Sequence, residues 1–168
     1  MFDMNVNVAM ELSQQALPHM IARRSGWILN ISSSTAKPPE IPYRATPEAA
    51  HVVATYGATK AALNRITVGL AHEVFEHGVF VNAMAPRDIV LTSSADYVRD
   101  IARANPDMLE PVEMMAEAAL ELCTGRYVGR VVLSREIVHE SARKVMSLDG
   151  TRELGDALMP GDPEAPAQ

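Results

Sequence analysis

With 168 residues and 48% hydrophobic content, the chain has enough apolar material for one sizeable core, which argues against two independent domains. Its 21 acidic against 15 basic residues give a formal net charge of −6, a balance that repels nucleic acid and anionic membrane surfaces. The lone Cys123, in the apolar run Leu120-Glu121-Leu122-Cys123, excludes an internal disulfide and reads as a buried small hydrophobe; with no run near the ~18 apolar residues of a membrane span, a soluble, unexported, cytoplasmic protein is expected.

From the amino terminus, Val8, Leu12, Leu17, Met20 and Ile21 recur at helical spacing and predict a helix over residues 6–24, kinked at Pro18 and ended by Gly26. Trp27-Ile28-Leu29-Asn30-Ile31-Ser32-Ser33 has the pattern of a short buried strand that delivers polar residues at its carboxyl end. Pro38, Pro39, Pro42 and Pro47 predict loop across most of residues 35–54. Leu63, Ile66, Leu70 and Val74 mark one stripe of a long helix over residues 53–76, stopped by Gly78. Val79-Phe80-Val81-Asn82-Ala83-Met84-Ala85 reads as a second buried strand, broken by Pro86. Helices over residues 95–104 and 112–124 follow, the latter with Pro111 in its first turn and Gly125 beyond its last, and Arg130-Val131-Val132-Leu133 makes a third strand. This alternation implies parallel strands joined by right-handed crossovers, hence an α/β fold of about three parallel strands with flanking helices. One domain is expected over residues 1–150, then a largely disordered tail over 151–168, where residues 156–168 hold three prolines.

Tyr56-Gly57-Ala58-Thr59-Lys60 sets a phenol and an ammonium four residues apart on a helix, one turn apart on one face. A cation about 4 Å from the phenolate favours ionisation by roughly 4 kcal/mol at an effective dielectric of 20. That would bring a tyrosine into the range where it exchanges protons near neutral pH, as an acid/base interconverting alcohol and carbonyl must. A bare Tyr-x-x-x-Lys is a weak signal, because a tyrosine packed on a lysine stem has the same spelling. The context strengthens it: Ser32 and Ser33 close one strand, Pro86 closes the next, and parallel α/β sheets bind ligands outside the carboxyl ends of their strands.

Asn30-Ile31-Ser32-Ser33, then Tyr56-Gly57-Ala58-Thr59-Lys60-Ala61-Ala62-Leu63, then Val81-Asn82-Ala83-Met84-Ala85-Pro86 resembles, in spelling and order, the short-chain dehydrogenase/reductase family. With Asp3-Met4-Asn5-Val6 the likeness runs from about residue 3 to Leu133. It implies a partial Rossmann-like, doubly wound fold and an oxidoreductase that interconverts a small-molecule alcohol and carbonyl with NAD or NADP. Carried over by position, Tyr56 is the general acid/base, and Lys60 lowers its pKa and binds the nicotinamide ribose. Ser33 orients the substrate oxygen, and Asn5 holds a water that links Lys60 to solvent. Tyr56, Lys60, Pro86, Val90 and Thr92 contact the cofactor, with Thr92 at the nicotinamide carboxamide. Several plainer roles stay open: Asn5 as a helix cap, Thr92 as a turn or cap residue, Ser32 or Ser34 as the hydroxyl that faces the site. His51 falls in the proline-rich loop, as a substrate contact or a solvated histidine. No metal site is implied.

The resemblance breaks at the family's opening strand and its Gly-x-x-x-Gly-x-Gly turn, whose bare backbone admits the cofactor pyrophosphate to a helix amino terminus. Gly125-Arg126-Tyr127-Val128-Gly129 is the nearest spelling, but Val131 stands where the third glycine belongs and a strand follows it. The family's glycine after the strand-closing proline is replaced by Arg87. The chain is therefore expected to be the carboxyl-terminal, catalytic half, with an unpaired apolar edge on its first strand that invites pairing with another chain. A rival reading is an inactive truncated product that acts as an interaction module. In that reading its long helix pairs with an intact relative, whereas for the oxidoreductase a homo-oligomer through the two long helices is expected. A serine hydrolase built on Ser33 is disfavoured because no Gly-x-Ser-x-Gly elbow is present.

Overall fold

The computed structural model describes residues 1–38, 47–92 and 96–155. The chain divides into two compact units, Met1–Ala85 with Leu122–Val132, and Pro86–Glu121 with the described part of Leu133–Gln168.

In the first unit a π-helical turn, Asp3–Asn7, runs into helix α1, Val8–Arg23, which continues through Pro18. Leu17 is buried and Met20 and Ile21 pack against the core, whereas Val8 and Leu12 are 39% and 62% exposed and lie off it, contrary to the predicted stripe. The helix ends at Arg24, whose φ of 53° is left-handed, so Gly26 is not its stop. Gly26 opens strand β1, Gly26–Ile31, where a Cβ would collide with the Met20 side chain.

Helix α2 spans Pro47–Val74 and begins within the region predicted as loop. Proline at a first helical position gives up an N–H that has no intrahelical partner, so Pro47 starts a helix there and does not prevent one. A 3₁₀ turn, Phe75–His77, and Gly78 at φ 74° lead into strand β2, Val79–Ala85. A side chain at Gly78 would overlap the Arg24 carbonyl, so the close approach and the left-handed backbone both require glycine.

β1 and β2 pair in parallel, with Gly26 opposite Val79 and Ile31 opposite Met84, and β3, Val131–Leu133, completes one parallel sheet in the order β1-β2-β3. Leu17, Ala71, Val74, Val79 and Val81 form the core between helices and sheet. The buried Asn82 donates to the Tyr127 carbonyl (2.8 Å) and accepts from the Arg130 amide (2.9 Å), clipping the chain that enters β3 to the middle of the sheet.

The second unit contains α3, Asp96–Ala104, most of α4, Val112–Thr124, and α5, Ser134–Glu140. The sequence reading has no counterpart for α5, which at seven residues is too short to show a repeating apolar stripe. Arg143 binds Glu117 (2.6 Å) and Glu121 (3.1 Å), which lie one turn apart on α4. Cys123 is half-buried, less than its apolar run suggests, and burial raises its thiol pKa. No helix among the described residues is long and apolar enough to cross a membrane. Of the predicted tail over residues 151–168, residues 151–155 are described and hold to the preceding chain, with Glu153 in an antiparallel bridge to Met146 and the Leu154 amide donating to the Val145 carbonyl (2.7 Å), while residues 156–168 lie outside the described residues.

Candidate active site

The carboxyl end of β1 delivers the serines. Ser32 continues the pairing, its amide donating to the Met84 carbonyl (2.7 Å), and its side chain is buried with no hydrogen-bond partner for Oγ among the described residues. Ser33 caps the 3₁₀ turn Ser34–Ala36: its Oγ accepts from the Thr35 amide (3.2 Å) and from Thr35 Oγ1 (2.9 Å). Neither bond uses the Ser33 hydroxyl proton, which stays free to be donated.

α2 meets this turn at Gly57, where any Cβ would overlap the Thr35 carbonyl oxygen. A bare backbone at the residue after Tyr56 therefore lets the tyrosine's helix approach the turn that carries Ser33. Tyr56 is half-buried, and Lys60 Nζ lies 5.6 Å from its ring centroid. The same Nζ donates to the Ile31 carbonyl at the last position of β1 (2.8 Å), and burial pushes the lysine pKa below its ordinary value. The ammonium is thus tied to the sheet rim and beside the phenol ring together.

Asn5 lies inside the π-helical turn and not at its cap; its Nδ2 donates to Thr59 Oγ1 (2.9 Å), which in turn donates to the Tyr56 carbonyl (2.7 Å). The capping alternative for Asn5 is set aside: the caps of both the π turn and α1 are other residues. Thr59 is fully buried and anchors the turn between Tyr56 and Lys60. No sequence pattern marks Thr35, Gly57 or Thr59 as site residues: Gly57 and Thr59 stand inside the motif, but the contacts with Thr35 and Asn5 that give them their roles cross 22 and 54 positions of chain.

His51, placed in a loop by the sequence reading, is exposed within α2. Pro86, Val90 and Thr92 belong to the second unit, where Pro86 and Val90 are half-buried and Thr92 is exposed. The residues between Thr92 and Asp96, where α3 begins, lie outside the described residues, and with them the reading of Thr92 as a turn or cap. Arg87 is not among the residues with positive φ, so this chain does not need the family's glycine there. No cluster of His, Cys, Asp or Glu among the described residues is arranged to hold a metal ion.

Residues 1–101 match the family model described as short chain dehydrogenase. An uncharacterized oxidoreductase of Staphylococcus aureus (strain USA300) is 33% identical over 127 residues, 74% of this chain and 47% of that protein. A 2,3-dihydroxy-2,3-dihydro-p-cumate dehydrogenase of Pseudomonas putida is 32% identical over 108 residues, 64% of this chain and 36% of that protein. Among solved structures, a putative NAD(P) dependent gluconate 5-dehydrogenase from Beutenbergia cavernae with bound NADP superposes with a TM-score of 0.63 at 30% identity, over 79% of this chain and 53% of that one. An acetoin dehydrogenase from Enterobacter cloacae does so with a TM-score of 0.61 at 27% identity, over 79% and 51%. The chain spans no more than about half the length of these relatives. With the family's model covering more than half of its residues, on a parallel sheet of the same fold, this chain belongs to the short-chain dehydrogenase/reductase family.

Proposed function

We propose that the chain carries the proton-transfer machinery of an NAD(P)-dependent oxidoreductase that interconverts a small-molecule alcohol and carbonyl, with Tyr56 as general acid/base. The observation that carries this reading is Lys60, docked on the Ile31 carbonyl at the sheet rim and within 5.6 Å of the Tyr56 ring centroid.

The residues present suit the nicotinamide end of a dinucleotide. One Lys60 proton goes to Ile31, leaving two more donors for ribose hydroxyls. The phosphates are a different matter, since the sequence has no glycine-rich strand-turn-helix to receive them. When bound, NAD(P) supplies or accepts the hydride. In the reducing direction Ser33 donates its free hydroxyl proton in a hydrogen bond to the substrate carbonyl oxygen, and Tyr56 delivers the proton that completes the alcohol. Lys60 offsets the charge left on the phenolate. Asn5, through Thr59, holds the helical turn that presents both groups. Pro86, Val90 and Thr92 are assigned to the cofactor by family position.

The test is Tyr56→Phe, expected to lower turnover at least a hundredfold while the far-ultraviolet circular dichroism spectrum stays unchanged. Retained turnover would remove Tyr56 from the chemistry.

A second reading, an inactive chain that works as an interaction module, is favoured by one observation. Met4, Val8 and Leu12 are 73%, 39% and 62% exposed, and a groove of about 300 Å³ is lined by Ala9, Met10 and Ser13 of α1 and by Leu63, Ile66 and Glu73 of α2. Oligomerisation through these two helices accommodates either reading. Titration with NADH and NADPH separates them, because the module reading expects neither to bind.

A further inference from the structure

Residues 86–92, to which family membership assigns cofactor contacts, leave the sheet without the glycine that usually follows the proline. In its place stands Arg87. The segment is held from outside by a different strand of chain: Ile89 forms a parallel bridge with Leu109, its amide donating to the Met108 carbonyl (2.7 Å) and its carbonyl accepting from the Glu110 amide (2.8 Å).

The Glu110 side chain completes this attachment. It is only 3% exposed; Oε2 accepts from the Arg87 amide (2.9 Å), and Oε1 accepts from the Oγ of Ser134, a fully buried residue that opens α5. Burying a carboxylate is costly unless donors compensate it, and here one donor is the main chain of the segment itself. A carboxylate suits this place because it can accept on both oxygens, whereas a glutamine has one acceptor oxygen and a nitrogen that can only donate.

We infer that Glu110 is a positioning residue for the cofactor: it fixes the path of residues 86–92 through the Arg87 amide and so sets NAD(P) affinity without touching NAD(P). The inference rests on the oxidoreductase reading above, and Ser134 provides an internal control. Ser134→Ala removes the other partner of the carboxylate and disturbs the same buried pair, but leaves the bond to Arg87 in place.

The experiment titrates the full chain with NADH and NADPH, as wild type, Glu110→Gln, Glu110→Ala and Ser134→Ala, and records the denaturation midpoint of each. The expected result is a several-fold loss of affinity in Glu110→Gln and at least a tenfold loss in Glu110→Ala. Ser134→Ala should stay within twofold of wild type although its midpoint falls. Unchanged affinity in both Glu110 variants would overturn the inference, as would an equal loss in Ser134→Ala, which would show that affinity merely follows stability. If Glu110→Ala does not fold, the comparison of Glu110→Gln with Ser134→Ala decides on the same terms. Wild type that binds neither NADH nor NADPH would instead overturn the oxidoreductase reading, and the inference with it, before any variant is compared.

Discussion

At Lys60 one ammonium is shared between two tasks, a strand-end carbonyl and a phenol ring, and it is partly withdrawn from water to perform them. Because burial lowers its pKa, the folded chain gives up this proton more readily than the unfolded chain does. Between the lowered value and the ordinary 10.5 the unfolded state binds more protons, so this residue makes stability rise with pH through that window. Below the window its destabilising contribution is at its full extent. Lys60→Met should remove this alkaline gain; urea titrations of both proteins across the window check it, and parallel pH profiles would count against it. The spacing from Tyr56 to Lys60 was legible in the sequence because a helix makes it local. The partners that hold the pair, Ile31 and Asn5, lie 29 and 54 positions from the residues they bond, so local periodicity does not display them.

Among the elements, β2 and α4 have their predicted boundaries because each combines a dense apolar pattern with clear punctuation, by Pro86 or by Pro111 and Gly125. Its prolines make α2 read shorter than it is, and the apolar stripe predicted for α1 fails at Val8 and Leu12, which the described residues do not cover. Charge pairing between elements was equally invisible. Arg143 links the chain beyond α5 to α4 through Glu117 and Glu121, with side chains only 27%, 11% and 18% exposed, and the two carboxylates raise its pKa, Glu117 foremost. Arg143→Met should remove the guanidinium that Glu117 and Glu121 share and cost about 1–3 kcal/mol. Chemical denaturation checks this, and Glu117→Gln in the same background should recover part of the loss.

For the whole molecule, the order β1-β2-β3 leaves β1 with no neighbour on its outer side among the described residues. Its sequence Gly-Trp-Ile-Leu-Asn-Ile carries no charge or proline to discourage another strand, and Trp27 and Ile31 are 37% and 47% exposed. Concentration-dependent association is therefore expected in sedimentation velocity, and a monomer at every concentration tested would contradict it. Arg24 and Gly78 lie back to back where each long helix gives way to its strand, so this one corner sets the offset at which Gly26 meets Val79. Successive strand residues point to opposite faces, so a slip of a single position would trade the places of Ser32 and Ser33. The hydroxyl now sealed inside would swing to the rim and its neighbour would be entombed. The corner at Arg24 and Gly78 thereby decides which of the two serines lies at the rim.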